Sequence, residues 1–238
     1  MKLGKRLKQI ESMVTVQYDH IWDCCCDHGL LGAALLARNA APNIHFVDIV
    51  PELVCELENK LHQFYPKHAK SHSQWQTHCM DVATLPLQKF SGKHLVIIAG
   101  VGGDLMTELV LVIHQQNPAC DIDFLLCPVH HQFTLRQKLI QLNFSLKTEV
   151  LIVENQRFYE ILLVSTANNS SSKVNPIGSF IWQSNTPEQA KIAAEYLQKT
   201  LVHYKRVQLG RKAEVQHIID AYTALTHDYP KQENSQGN

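Results

Sequence analysis

Five short segments of this 238-residue chain carry most of the side chains that could do chemistry. Asp23, Cys24, Cys25, Cys26, Asp27, His28 and Gly29 are consecutive. Asp48 closes a second apolar run and is followed by Ile49; Asp81 and Val82 follow a third run. Gly100, Val101, Gly102 and Gly103 follow a fourth, and Cys127, Pro128, Val129, His130 and His131 end a fifth. A carboxylate can accept two hydroxyl hydrogen bonds, so Asp48 suits a ribose diol. Asp81 suits an exocyclic amino group of adenine, and the glycines at 100–103 let a ligand approach the backbone closely. Neither G-x-G-x-x-G nor a Walker phosphate loop is present, which disfavours a diphosphate. With 14 histidines and seven cysteines on offer, metal binding is a rival, but no standard zinc spacing occurs and no metal is expected.

These segments are punctuation between elements of regular pattern. Residues 3–14 read as an amphipathic helix with Leu3, Leu7, Ile10 and Val14 on one face. Apolar strands at 20–24, 44–48, 74–79, 95–99 and 122–127 alternate with helices at 29–39, 51–63, 103–116 and 131–142, with Pro51 at a first helical position. Two long strands, 145–154 and 157–165, flank a tight Asn155-Gln156 connection and must run antiparallel. Continuous apolar strands alternating with helices indicate a sheet covered on both faces. The expected fold class is α/β, a doubly wound, mostly parallel Rossmann-like sheet with an antiparallel last strand. In such sheets ligands sit beyond the carboxyl ends of the strands, where all five segments fall. Together they describe an adenosine-type cofactor. S-adenosylmethionine fits best, because its ammonium and sulfonium centres would be welcome beside Asp23 and Asp27.

The expected domain runs over 1–166. The polar stretch 167–176 reads as a linker. Ala190, Ala194, Leu197, Leu201 and Tyr204, then Val215, Ile218, Tyr222 and Leu225, repeat at spacings of four and three. That pattern predicts a helical hairpin or coiled-coil arm over 177–226, with a disordered tail over 227–238. Lys plus Arg and Asp plus Glu both number 22, so net charge does not announce a nucleic-acid binder. The distribution is uneven. Lys2, Lys5, Arg6 and Lys8 precede the first acid, and 191–217 holds six bases against two acids. Two basic ends could hold a phosphate backbone. No apolar run is long enough to span a membrane, and the basic first ten residues lack the apolar core of a signal peptide. Cysteine usage without a disulfide framework points to a reducing, cytoplasmic compartment.

Asp23-x-x-x-Asp27-His28-Gly29-x-Leu31, Ile98-Ala99-Gly100-Val101-Gly102-Gly103, Leu135-Arg136-x-x-Leu139 and Phe158-Tyr159-Glu160-Ile161 occur in that order. With the opening Arg6-Leu7-x-x-Ile10, they resemble the TrmK family of tRNA (adenine-N1)-methyltransferases, which act on adenine 22 of the D-arm. The resemblance covers roughly residues 3–165, and the helical arm matches in kind. It implies that Asp23, Asp48, Asp81 and Gly100–Gly103 hold S-adenosylmethionine, together with Cys25, His28, Gly29, Ile49 and Val82 on the same loop tips. Asp27 matches the family's active-site aspartate, the catalytic candidate. Lys5, Arg6, Pro128, His130 and Arg136 are the candidates for holding tRNA. Cys25 stands where the family has glycine, Gly32 where it has proline, and Cys127-Pro128-Val129 where it has a Gln-Pro-Asn-like sequence. A methyltransferase acting on another RNA or a small molecule, and a non-catalytic RNA-binding relative, are the alternatives.

Overall fold

The computed structural model describes residues 3–66, 73–167, 172–183, 186–210 and 214–228. They form two compact units, Met1–Phe180 and Ile181–Asn238.

The first unit is built on one seven-stranded sheet. Its strands are β1 (His20–Cys24), β2 (Asn43–Asp48), β3 (Gln74–Cys79), β4 (His94–Ala99), β5 (Ile122–Cys127), β6 (Ser145–Glu154) and β7 (Arg157–Ser165), in the order β3-β2-β1-β4-β5-β7-β6. The first five are mutually parallel, and β7 lies antiparallel between β5 and β6. The connections are α1 (Lys5–Ser12), α2 (Leu30–Ala37), α3 (Pro51–Phe64), α4 (Gly103–Gln116) and α5 (Gln132–Gln141). The chain winds outward from β1 to β3, then returns to β4 on the other side of β1. This reversal opens a crevice between the β1 and β4 tips. Alternation along the strands produces two cores. Trp22, Cys24, Val96, Ile98 and Phe124 pack on one face with α4 and α5 residues such as Val110 and Leu135. Ile21, Phe46, Leu95 and Ile97 pack on the other with Ile10, Leu35 and Leu57 from α1, α2 and α3.

Between β3 and β4 there is no α-helix, only short 3-10 turns at Val82–Thr84 and Leu87–Lys89. Histidines cross the sheet beneath Phe90 here. His20 Nδ1 lies 3.0 Å from His45 Nε2, and His45 Nδ1 lies 3.0 Å from His78 Nε2. His94 Nε2 faces the Phe90 carbonyl at 3.2 Å, so its Nδ1 is the acceptor for Trp22 Nε1–H, also at 3.2 Å. His45 stacks on Trp22 with ring centroids 3.8 Å apart. Each His–His contact needs one N–H and one lone pair, a requirement that neutral rings meet. Burial, reinforced by the neighbouring histidines, pushes His45 down to about 3.

The stretch expected as a linker behaves differently where it is described. Ser145 bridges Lys173, Val174 is buried in the first core, and the Ser179 and Phe180 N–H groups donate to Glu149 Oε1. The first unit therefore runs to Phe180, not 166. The polar composition of 172–180 serves contacts to the domain rather than solvent.

The second unit contains α6 (Pro187–Leu209) and α7 (Gln216–Asp228). Thr186 caps α6 by accepting the Gln189 N–H at 3.2 Å. Ala193, Tyr196, Leu197, Ile218, Ile219 and Tyr222 are buried, and Trp182 stacks on Tyr196 at 5.8 Å. Ala194, placed on the inner stripe by spacing, is exposed, and Ala193 lies inward instead. The expected tail lies outside the described residues from 229 onward.

Candidate active site

The β1 loop explains the three adjacent cysteines. Cys24 is buried in one core and Cys26 in the other, so the backbone must reverse between them. Cys25 and Asp27 do this with positive φ, 55° and 50°. Such angles cost a non-glycine residue roughly 1–2 kcal/mol each, less for aspartate. Asp23 is buried under this loop. Its Oδ2 accepts the Gly32 N–H at 2.8 Å. Burial pushes its carboxyl up to about 7, with the Gly32 bond opposing and the Asp48 charge adding. A Cβ on Gly32 would collide with the Phe46 ring. Position 32 thus supplies an N–H and a close helix–sheet approach, neither of which proline could give here.

The next two tips converge on the same place. Asp48 Oδ2 accepts the Asp27 N–H at 2.9 Å, and Oδ1 accepts the Val50 N–H at 3.1 Å. Asp48 therefore ties the β2 tip to the β1 loop. Each oxygen retains a second lone pair, so a diol could still share it. Ile49, 65% exposed, forms an apolar shelf beside Asp48. Asp81 Oδ1 caps the following turn through the Ala83 N–H at 2.9 Å. Burial pushes the Cys25 thiol up to about 11, with Asp48, Asp23 and Asp81 adding in that order. One neutral thiol thus sits among three of the expected carboxylates. Asp27 points outward, with His28 Nε2 3.7 Å from its Oδ1.

The glycines after β4 divide their work. Gly100 has φ 91°, and the nearest atom to a Cβ there would be Arg6 Nη1 at 3.7 Å. Gly102 and Gly103 instead receive the β5 loop. A Cβ on Gly102 would strike the His130 ring, and one on Gly103 would lie 2.5 Å from the His131 carbonyl. Gly103 N–H donates to the His130 carbonyl at 2.9 Å, and Val129 N–H to the Val101 carbonyl at 3.0 Å. Pro128 is buried, His130 is exposed, and exposed His131 pairs through Nδ1 with Asp104 Oδ2 at 2.7 Å. No local pattern in the sequence signals the Asp104–His131 pair.

One expected tRNA contact is corrected. Arg136 is completely buried, 2.7 Å from Glu160 Oε2, 2.6 Å from Glu149 Oε2 and 3.1 Å from the Asn175 carbonyl. The two carboxylates hold its guanidinium above its ordinary range against desolvation. It joins α5, β6, β7 and the 172–180 segment and cannot reach RNA. Lys5 is exposed on α1. Among the described residues, no cluster of histidine, cysteine or acidic side chains is arranged to hold a metal, and no helix is long and apolar enough to cross a membrane.

Comparison with known proteins agrees with this fold. A family model described as a methyltransferase domain matches residues 3–162. The chain belongs to this family. No curated protein matches the sequence. Among solved structures, the methyltransferase domain and helical pair resemble Streptococcus pneumoniae Sp1610, described as a candidate tRNA (m1A22) methyltransferase. The TM-score is 0.72 at 19% identity, over 95% of this chain and 100% of that one. Mycoplasma capricolum TrmK in complex with S-adenosyl-homocysteine gives 0.68 at 15% identity, over 95% and 99%. The Bacillus subtilis m1A22 tRNA methyltransferase TrmK gives 0.65 at 18% identity, over 95% of both chains. At these identities the likeness is one of fold, and it includes the helical pair as well as the sheet. The rim places Asp48 and Asp81 at neighbouring strand tips, Ile49 exposed beside Asp48, and the Asp27 carboxylate outward.

Proposed function

We propose that this chain is an S-adenosylmethionine-dependent tRNA methyltransferase acting on N1 of an adenine in the D-arm, adenine 22. The observation that carries the reading is that the tips of β1, β2 and β3 are tied together at the switch point of the sheet, the Asp27 N–H donating to Asp48 Oδ2 at 2.9 Å and the Met80 N–H to the Asp48 carbonyl at 3.0 Å, with the Asp27 side chain left outward. The family match supports methyl transfer. The shared architecture with Sp1610 and the TrmK structures, including a helical pair after the sheet, supports tRNA.

S-adenosylmethionine supplies an electrophilic methyl group on a sulfonium. Asp48 and Ile49 would hold its ribose and adenine, with Asp81 at the amino group. Asp23 would ionise beside its positive end. Adenine N1 carries an in-plane lone pair, so no base need remove a proton before attack. Alkylation places positive charge on the ring, and the Asp27 carboxylate would stabilise that charge and orient the exocyclic amino group. N1 lies on the Watson–Crick edge, so the base must be unpaired or flipped out. Exposed His130 would border the incoming base. Exposed Lys5, with Lys191, Lys199 and Lys205 of α6, would grip phosphates.

The test is methylation of tRNA lacking the modification, using labelled cofactor and nucleoside mass spectrometry. The expected product is 1-methyladenosine at position 22. A methyl group on another base refutes the assigned target. No transfer to any RNA refutes the enzymatic reading.

A further inference from the structure

We propose that His131, oriented by Asp104, accepts a hydrogen bond from the exocyclic amino group of the acceptor base and so selects adenine over a base with a keto oxygen there. The inference rests on the adenine-N1 reading above and adds the residue pair that tells one base from another.

The strand order divides the rim. Asp48 and Asp81 stand at the tips of β2 and β3, on one side of β1, where the ribose and adenine of the cofactor would lie. The acceptor base must then approach over the tips of β4 and β5, on the other side of β1. The β5 loop is fixed at that place. Val129 N–H donates to the Val101 carbonyl and Gly103 N–H to the His130 carbonyl, so the loop is bonded to the start of α4. Asp104 lies in the first turn of α4, and His131 is the residue that precedes α5. His131 Nδ1 is 2.7 Å from Asp104 Oδ2, and the His130 ring meets the His131 ring edge-on with centroids 4.4 Å apart.

This pair fixes the chemistry of the other ring nitrogen. An ionised carboxylate only accepts, so Nδ1 carries the hydrogen, and Nε2 of the neutral ring is then a lone pair. The His131 side chain is 49% exposed, so an incoming group can reach it. An adenine amino group has two N–H bonds. Asp27 from the β1 side would accept one, and His131 from the β5 side the other. A keto oxygen in the same position would face two acceptors and be repelled. A phosphate fits this place less well than a base. Asp104 cancels the charge that a protonated His131 would bring and itself repels an anion. Leu105, next to Asp104, and Val129, two residues before His131, are exposed apolar side chains that suit the face of a flat ring.

The test measures binding of two full-length tRNAs by the full chain saturated with S-adenosylhomocysteine. One tRNA carries adenosine at the target position, and the other carries purine ribonucleoside, which lacks only the amino group. The preference for adenosine is compared between proteins, so that the different flipping costs of the two RNAs cancel. His131→Phe, which keeps a ring but removes the lone pair, should lower that preference about two- to tenfold relative to wild type. The loss should fall on the adenosine RNA, with S-adenosylhomocysteine affinity unchanged, which also shows that the variant is folded. Asp104→Ala should lower the preference in part by freeing the tautomer. Asp104→Asn, whose carbonyl can accept the same N–H, should restore it. An unchanged preference in His131→Phe would overturn the proposal. Equal weakening of both RNAs would also overturn it, and would give His131 a phosphate contact or a role in the loop alone. Failure of the wild type to bind either tRNA would instead refute the tRNA reading itself.

Discussion

Arg136 and Arg6 both lie against the protein, but in opposite circumstances. Arg136 sits between Glu149 and Glu160, with the Asn175 carbonyl taking a further N–H, while Glu149 also accepts from Ser179 and Phe180. The chain itself supplies the partners of that cluster. Arg6 has the Tyr159 ring beneath it and the Cys127 thiol as a hydrogen-bond partner. A charged group whose partners are buried carboxylates of the chain itself holds the fold together. The same contrast separates the histidine row, where each contact pairs a donor with an acceptor, from Asp27, which faces solvent.

The contrast breaks most visibly at Arg136. Arg136→Met leaves two buried carboxylates without their cation and should cost about 3–5 kcal/mol. Arg6→Met removes a cation–π contact with Tyr159 and a hydrogen bond with the Cys127 thiol, together worth about 1–2 kcal/mol. Urea unfolding of the two variants measures both. Equal losses would show that Arg6 is as structural as Arg136.

Asp27 tests the rim directly. Asp27→Asn keeps a residue that tolerates positive φ but removes the charge. It should lower the single-turnover methylation rate by about a hundredfold or more, with cofactor affinity changed little. Full activity would remove Asp27 from the chemistry.

The parts of this picture legible in the sequence share a cause. Strand order follows from continuous apolar runs alternating with helices, and the tips follow from the rule that such sheets bind ligands at their carboxyl ends. Arg136 misleads because Leu135-Arg136-x-x-Leu139 is compatible with an outward arginine on an amphipathic helix. The acids that draw it inward lie 13 and 24 positions further on, in strands whose pairing no local pattern reveals. The 172–180 segment misleads for the same reason: serine, asparagine and lysine suit a linker or a docked strap equally well. The Gly100–Gly103 motif was legible as a place needing glycine. That two of its members serve the His130–His131 turn depends on tertiary approach alone.

The buried polar groups also predict a pH signature of opposing sign. His45 is held near 3 in the folded chain against about 6.5 unfolded. The unfolded state therefore binds more protons between those values, and this contribution to stability is lost as pH falls through them. Asp23 is held near 7 against an ordinary 3.8. Here the folded state binds more protons, and the contribution falls as pH rises from about 4 to 7. Each slope is at most about 1.4 kcal/mol per pH unit. His45→Phe, which keeps a ring on Trp22, should flatten the acid-side loss of stability, and Asp23→Asn should steepen it. Denaturant midpoints from pH 4.5 to 7.5 show whether the two variants diverge. Shifts in the same direction would mean that one of the two groups is not buried as described.

Gly102 and Gly103 provide the finest cut, because they are adjacent and both exclude a side chain for the sake of one turn. What the added methyl meets differs. At Gly102 it is the far end of the exposed His130 ring, which can swing away; at Gly103 it is the backbone oxygen of His131, which cannot move without the loop. Gly103→Ala should therefore cost about 1–3 kcal/mol of stability, with Gly102→Ala costing less than about 0.5 kcal/mol, an ordinary surface change. If His130 borders the acceptor base, Gly102→Ala should still weaken kcat/KM for tRNA a few-fold, through the displaced ring, with cofactor affinity unaltered. Unchanged kcat/KM in a stable Gly102→Ala protein would separate His130 from RNA recognition and leave the glycine pair a purely architectural device.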